Sequence, residues 1–203
     1  MLSIIEAAGW PIWTIILASV ISLTITLERF YSLRAPLVVP KGLLAQTLQE
    51  FRRSGASRDA IVELQRHSPL GRLFAAGLRQ VGSSREVMKE AIEDEGRIVV
   101  HQLGRYLTTL GTIAAMSPLL GLLGTVIGMI EIFGSQSPAG TDPRVLAHGI
   151  SVALYNTAMG LVVAIPSMMF YRYFRARVDD FLVEMEAQAV RLVEAIHGDR
   201  RGD

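Results

Sequence analysis

The 203-residue chain contains no cysteine, which excludes disulfides and thiolate metal sites and is compatible with any compartment. Histidine is scarce too, and the four, at 67, 101, 148 and 197, are scattered with no metal-ligand spacing. There is no phosphate-cradling glycine loop and no nucleophile placed beside a base, so no enzymatic constellation is present and no cofactor is implied. No Lys or Arg precedes Arg29, and Glu6 stands where a secretory leader would carry basic residues, so the first apolar run is expected to be a retained anchor. A strand-like alternation is missing throughout. Most telling is where charge is absent: residues 10–27 and 149–171 carry none, and 107–133 carry only Glu131.

What is there instead is hydrocarbon, in blocks. Half of the residues are hydrophobic and the mean hydropathy is +0.36. Each of the three runs satisfies the need for about 20 apolar residues to cross a bilayer core. The spacing predicts an all-α membrane protein with three transmembrane helices, the second and third extended far into the cytoplasm, and a helical cytoplasmic insertion. Of the twenty Lys and Arg, thirteen lie between Arg29 and Arg105, six follow Tyr171, and Arg144 stands alone between the second and third runs. The positive-inside rule then sets the order. Residues 1–9 are an external interfacial N-terminus, 10–27 the first span, 28–105 a cytoplasmic region, and 106–133 the second span. Residues 134–148 are an external loop, 149–171 the third span, and 172–203 a cytoplasmic amphipathic helix and tail. Basic and acidic residues nearly balance in the 52–105 segment, which argues against nucleic acid binding.

Local signals refine that scheme. Trp10-Pro11-Ile12-Trp13 suits a helix start at a membrane interface, and Ile4, Ile5 and Ala8 suggest one helical turn before it. Glu28 and Arg29 form a charged pair of residues at the inner interface. Turn signals at Ser54-Gly55, Ser68-Pro69 and Gly82-Ser83-Ser84 cut the insertion into short helices. From Ser84 a single helix is expected to run through to Phe133, about 75 Å at 1.5 Å per residue. Beyond Tyr171, Val178, Phe181, Leu182, Met185, Ala189, Leu192, Val193 and Ile196 make a one-sided apolar stripe. It can pack on the chain's own cytoplasmic helices or bundle between subunits; the second reading is preferred.

Two spans carry small and polar residues in register. Gly121, Gly124 and Gly128 share one face of the second span and permit close helix approach. In the third, Gly149, Ala153, Asn156, Gly160 and Ala164 advance by 4, 3, 4 and 4, and Thr157 lies at the edge of that stripe. Facing lipid, Asn156 would leave its amide unsatisfied, so the stripe must face protein or a water-filled lumen. Thr125, Asn156, Thr157 and Ser151 are the candidate ion-pathway residues, although each threonine can also bond back to its own helix. His148 and Glu131 belong to the outer interface. The chain holds no carboxylate deep in any span, and no metal-ligand set.

The passages SPLLGLLGTVIGMI at 117–130 and GISVALYNTAMGLVVAIPSMMFY at 149–171, with Glu28-Arg29 and the three-span order, resemble the ExbB/TolQ/MotA family of bacterial ion-channel subunits. The long insertion looks more like the ExbB/TolQ branch. The resemblance implies an inner-membrane homo-oligomer, a pentamer around a pore. It also implies a single-span ExbD- or TolR-like partner whose aspartate carries the proton, and a TonB- or TolA-like transducer that receives the work. Thr125 and Thr157 match the family's lumen-facing threonines. Many ExbB and TolQ proteins have a glutamate five residues before the second threonine; here that position is Val152, with Asn156 one turn on. A flagellar-type stator and a non-conducting membrane scaffold are the alternatives.

Overall fold

The computed structural model describes residues 9–134 and 143–199. The turn expected around Ile4 and Ala8, residues 135–142 of the external loop and residues 200–203 lie outside them. All regular structure among the described residues is helical: α1 (Pro11–Ser32), α2 (Ala35–Val38), α3 (Leu43–Ser54), α4 (Arg58–His67), α5 (Pro69–Arg79), α6 (Arg85–Leu103), α7 (Leu107–Gly134) and α8 (Pro143–Asp199). The chain divides into two compact units, Met1–Glu28 with Tyr106–Tyr173, and Arg29–Arg105 with Phe174–Asp203.

The first unit holds three helices long and apolar enough to cross a membrane. Its pattern is inverted relative to a water-soluble bundle. Leu17, Val20, Leu23 and Leu27 of α1, Leu119 and Val126 of α7, and Leu154, Val162 and Ile165 of α8 are exposed. Ser22, Thr26, Ser117, Asn156 and Ser167 are buried. Such an arrangement suits a hydrocarbon solvent, where polar groups must find partners inside the protein. Pro11 opens α1, and the Thr14 hydroxyl donates to its carbonyl at 2.7 Å. Pro118 and Pro166 each remove one ladder bond inside a helix. Beside them, the Ser117 and Ser167 hydroxyls donate to the carbonyls of Ile113 (2.7 Å) and Val163 (2.6 Å).

The second unit is an ordinary apolar core built from short capped helices. Ser57, Ser68 and Ser84 each accept a hydrogen bond from a backbone N–H three residues on, at 3.3, 3.1 and 3.4 Å. Backbone N–H bonding and the Ser84 hydroxyl also hold the Glu86 carboxyl below its usual range, so this terminus loosens as acid protonates it. Gly42 and Gly55 take positive φ at the two ends of α3. Ser68 is both the last cap of α4 and the first of α5, and is buried. Ser68→Ala should therefore lower stability by about 1 kcal/mol, read in a thermal melt of the purified protein.

Two expectations are corrected here. The helix predicted to run unbroken from Ser84 to Phe133 stops at Leu103 and restarts at Leu107. Gly104 closes α6 with its N–H on the Val100 carbonyl at 2.9 Å, and Tyr106 turns into the left-handed region at φ 64°. The Leu103 carbonyl, which a continuous helix would offer to the Leu107 N–H, instead accepts from the buried Arg29 guanidinium at 3.0 Å. Glu28, beside Arg29 in sequence, is exposed, and adjacent residues on a helix do not face one another.

The second correction concerns the tail. Phe174, Val178, Phe181, Met185, Ala189, Leu192, Val193 and Ile196 are each at most 3% exposed within a single chain. Phe174 stacks edge-on against Phe30 at 5.0 Å, and Glu194 pairs with Arg85 at 3.7 Å. The stripe is thus used up on the chain's own helices and is not left for bundling between subunits. Apolar area of that extent cannot wait exposed for a partner.

Candidate functional site

The site is a seam between α7 and the first half of α8. Its closeness follows from the missing Cβ atoms. A methyl on Gly160 would stand 2.5 Å from the Ser117 carbonyl oxygen, and one on Gly121 would stand 2.7 Å from the Asn156 carbonyl oxygen. Further along, a Cβ on Gly124 would meet the Asn156 side chain at 2.8 Å, and one on Gly128 the Ala153 methyl at 3.2 Å. Gly149 faces Ile132 in the same way, and Gly111 faces the Tyr171 ring. With no hydrophobic drive between helices in lipid, this backbone contact supplies the packing energy.

The stripe Gly149, Ala153, Asn156, Gly160 and Ala164 therefore faces protein. Asn156 is 1% exposed and lies flat on Gly124. Its amide is inside the α7–α8 seam and away from lipid, which its polarity requires.

The seam brings Thr125 and Thr157 together. Their hydroxyl oxygens are 2.6 Å apart, a short O–H···O contact. Gly121 offers its carbonyl to both, at 3.1 Å from Thr125 Oγ1 and 3.2 Å from Thr157 Oγ1, and the Ala153 carbonyl lies 3.3 Å from Thr125 Oγ1. Two hydroxyls bring two protons, and the proton accounting has two solutions. Thr125 donates to Thr157, which donates to Gly121; or Thr157 donates to Thr125, which donates to Gly121 or Ala153. Each solution leaves every proton bonded, and they differ by rotation of two hydroxyls. Such a pair can accept from one side and donate to the other without itself ionising. Both residues are half-buried, so the pair is within reach of the seam's edge.

Other sequence-predicted residues fall elsewhere. Ser151 is exposed and donates to the Ala147 carbonyl of its own helix at 2.9 Å, so it does not join the threonines. Glu131 and His148 line a cleft of about 320 Å³ together with Trp10, Gly149, Val152 and Asn156. Among the described residues no carboxylate hydrogen-bonds to the threonine pair, and Glu131 stands six residues from Thr125, about 9 Å along α7. No group of three or more His, Asp or Glu able to hold a metal is gathered among the described residues.

A second hydroxyl pair lies outside the residues that small-residue spacing singles out. Ser22 of α1 and Ser167 of α8 are both buried, with oxygens 2.6 Å apart, and tie the first span to the third. The signal was available: Ile15, Ser22, Thr26 and Arg29 step by 7, 4 and 3 along one face of α1, and all are buried. Arg29 was likewise visible as a charge, but its role as the acceptor's partner at the end of α6 was not.

The fold and seam define a membrane subunit with three apolar helices, two of which are locked at backbone distance around half-buried hydroxyls. Residues 65–187 match the MotA/TolQ/ExbB proton channel family, and the chain belongs to that family. It is 31% identical over 188 residues to the biopolymer transport protein exbB1 of Vibrio cholerae, covering 89% of this chain and 82% of the relative. It is 31% identical over 115 residues to the biopolymer transport protein ExbB of Aquifex aeolicus, covering 56% and 77%. Against the biopolymer transport protein ExbB of Salmonella typhimurium it is 39% identical over 101 residues, or 46% of this chain and 41% of that one.

Proposed function

We propose that this chain is the ion-conducting subunit of an ExbB–ExbD- or TolQ–TolR-like complex that couples proton flow to mechanical work on the cell envelope, in biopolymer transport. It sits in the bacterial inner membrane with its N-terminus outside and its C-terminus in the cytoplasm, as a homo-oligomer, by family precedent a pentamer. A single-span partner similar to ExbD or TolR supplies the titrating aspartate, and a TonB- or TolA-like transducer receives the work. The relatives' names favour this branch over a flagellar-type stator.

The observation that carries the reading is the Thr125–Thr157 hydroxyl pair, held in apolar helices with no carboxylate among the described residues bonded to it. A relay of that kind needs an ionisable group from another chain, which the partner's aspartate provides. One charge moved through 100 mV releases about 2.3 kcal/mol, enough over a few steps to repack helices. The test is proton flux in proteoliposomes containing this chain and its single-span partner. Thr125→Ala and Thr157→Ala should each cut partner-dependent flux at least tenfold, with the oligomer's mass unchanged. Wild-type flux in both variants would return the pair to simple helix packing, the scaffold reading.

A further inference from the structure

The second unit contains a cavity that the membrane-spanning function does not use. It lies between α3 and α4, has a volume of about 200 Å³, and is floored by Leu43, Phe51, Ile61 and Leu78. The Thr47 side chain lines it. Thr47 is 4% exposed, and its hydroxyl has no hydrogen-bond partner among the described residues. A buried hydroxyl in that condition carries a desolvation penalty of about 1–3 kcal/mol. A threonine within a helix can avoid it by bonding back to a carbonyl one turn earlier, the bond that the exposed Thr24 and Thr112 make in this chain.

Charge at the cavity is of one sign. Glu50 and Glu63 line it, and the unit's arginines, although Arg52, Arg53 and Arg66 sit on the same two helices, do not. His67 is the only other titratable lining residue. The volume is below that of a cofactor or drug-sized site, which begins near 300 Å³, and suits an object the size of one side chain. The floor is hydrocarbon, the walls bear two carboxylates beside Gln46 and His67, and the buried polar atom without a partner among the described residues is a single oxygen, Thr47 Oγ1. An ammonium on an alkyl stem matches all three features, since it is a point donor with a stem that packs on apolar surface. A guanidinium presents a planar fork for which a lone hydroxyl is no counterpart.

We infer that the α3–α4 cavity is a binding site for an alkylammonium group, borne by a lysine side chain of a bound protein segment or by a free aliphatic amine. The ammonium donates to Thr47 Oγ1 and is neutralised by Glu50 and Glu63, while Phe51 and Leu43 pack on the stem.

The experiment uses the full chain in nanodiscs, titrated with three probes by ligand-observed NMR and calorimetry. They are cadaverine, Nα-acetyl-lysine N-methylamide, and 1-pentanol as the neutral control of similar length. Both amines should bind at least tenfold more tightly than pentanol, and their relative affinity identifies the source. A preference for the lysine derivative points to a protein segment, and a preference for cadaverine to a free amine. Glu50→Gln with Glu63→Gln should weaken amine binding tenfold or more and leave pentanol unchanged. Thr47→Val should weaken it similarly without lowering the melting temperature, while Thr47→Ser should retain it. Equal binding of amine and pentanol, no binding of either, or amine binding insensitive to the double glutamine change would overturn the assignment.

Discussion

Gly160→Ala should destabilise the membrane-spanning unit by about 2–3 kcal/mol, although alanine is the better helix former by about 1 kcal/mol. The added methyl would stand 2.5 Å from the Ser117 carbonyl oxygen and press toward the Gly121 Cα at 3.2 Å. Both neighbours are backbone, and Ser117 is fully buried, so neither can rotate away as a flexible side chain would. The helices must separate, and the separation acts at Thr157, one turn away, where the 2.6 Å hydroxyl contact has no slack. The variant should therefore melt roughly 5–10 °C lower and lose ion flux together. Gly96→Ala is the internal control: nothing lies within 4 Å of its added methyl, so helix propensity acts alone and stability should rise. If Gly160→Ala melts like the wild type, the seam is looser than described.

Arg29→Met should cost about 1.5–3 kcal/mol, the worth of a buried hydrogen bond from a charged donor. The guanidinium is 6% exposed and donates to the Leu103 carbonyl at the C-terminal end of α6, where the helix dipole also favours a cation. Removing it leaves that carbonyl free to reclaim the Leu107 N–H. Hydrogen exchange across residues 103–110 is the measurement, and protection there should change more than at the far ends of α6 and α7. An unchanged melt and unchanged exchange would show that Gly104 and Tyr106 make the break unaided.

Much of this was legible in the sequence because membrane segments obey few rules strictly. Three charge-free runs, two tryptophans at one end and the skewed placement of arginine lead directly to three spans. The serines and glycines at 54–55, 68 and 82–84 mark helix ends in the second unit, and they coincide with the observed ones. The small-residue stripes of α7 and α8 were visible at helical spacing. Their mutual contact was not, because periodicity identifies a face and never its partner. For the same reason spacing alone leaves Asn156 between a lumen and a protein contact, and Gly124 beneath it decides for protein.

Where reading failed, a long-range contact outweighed a local signal. Nothing adjacent to Leu103 except Gly104 announces a break; Arg29, whose guanidinium occupies the Leu103 carbonyl, is seventy-four residues away in sequence. The stripe from Phe174 to Ile196 has the spacing of a bundling helix, yet Phe30 and the core of the second unit bury it within one chain. Ser151 lies in the same apolar run as Thr157, but its hydroxyl is spent on Ala147.

A double-mutant cycle on proton flux tests most directly whether Thr125 and Thr157 act as one relay. Thr125→Val, Thr157→Val and the double variant would be reconstituted with the single-span partner under an imposed pH gradient. Valine keeps the shape and removes only the hydroxyl. A relay broken at one link is not broken further at the second, so the double variant should conduct no less than the slower single variant. Independent, multiplying losses would contradict a shared relay, and full flux in either single variant would contradict the role itself.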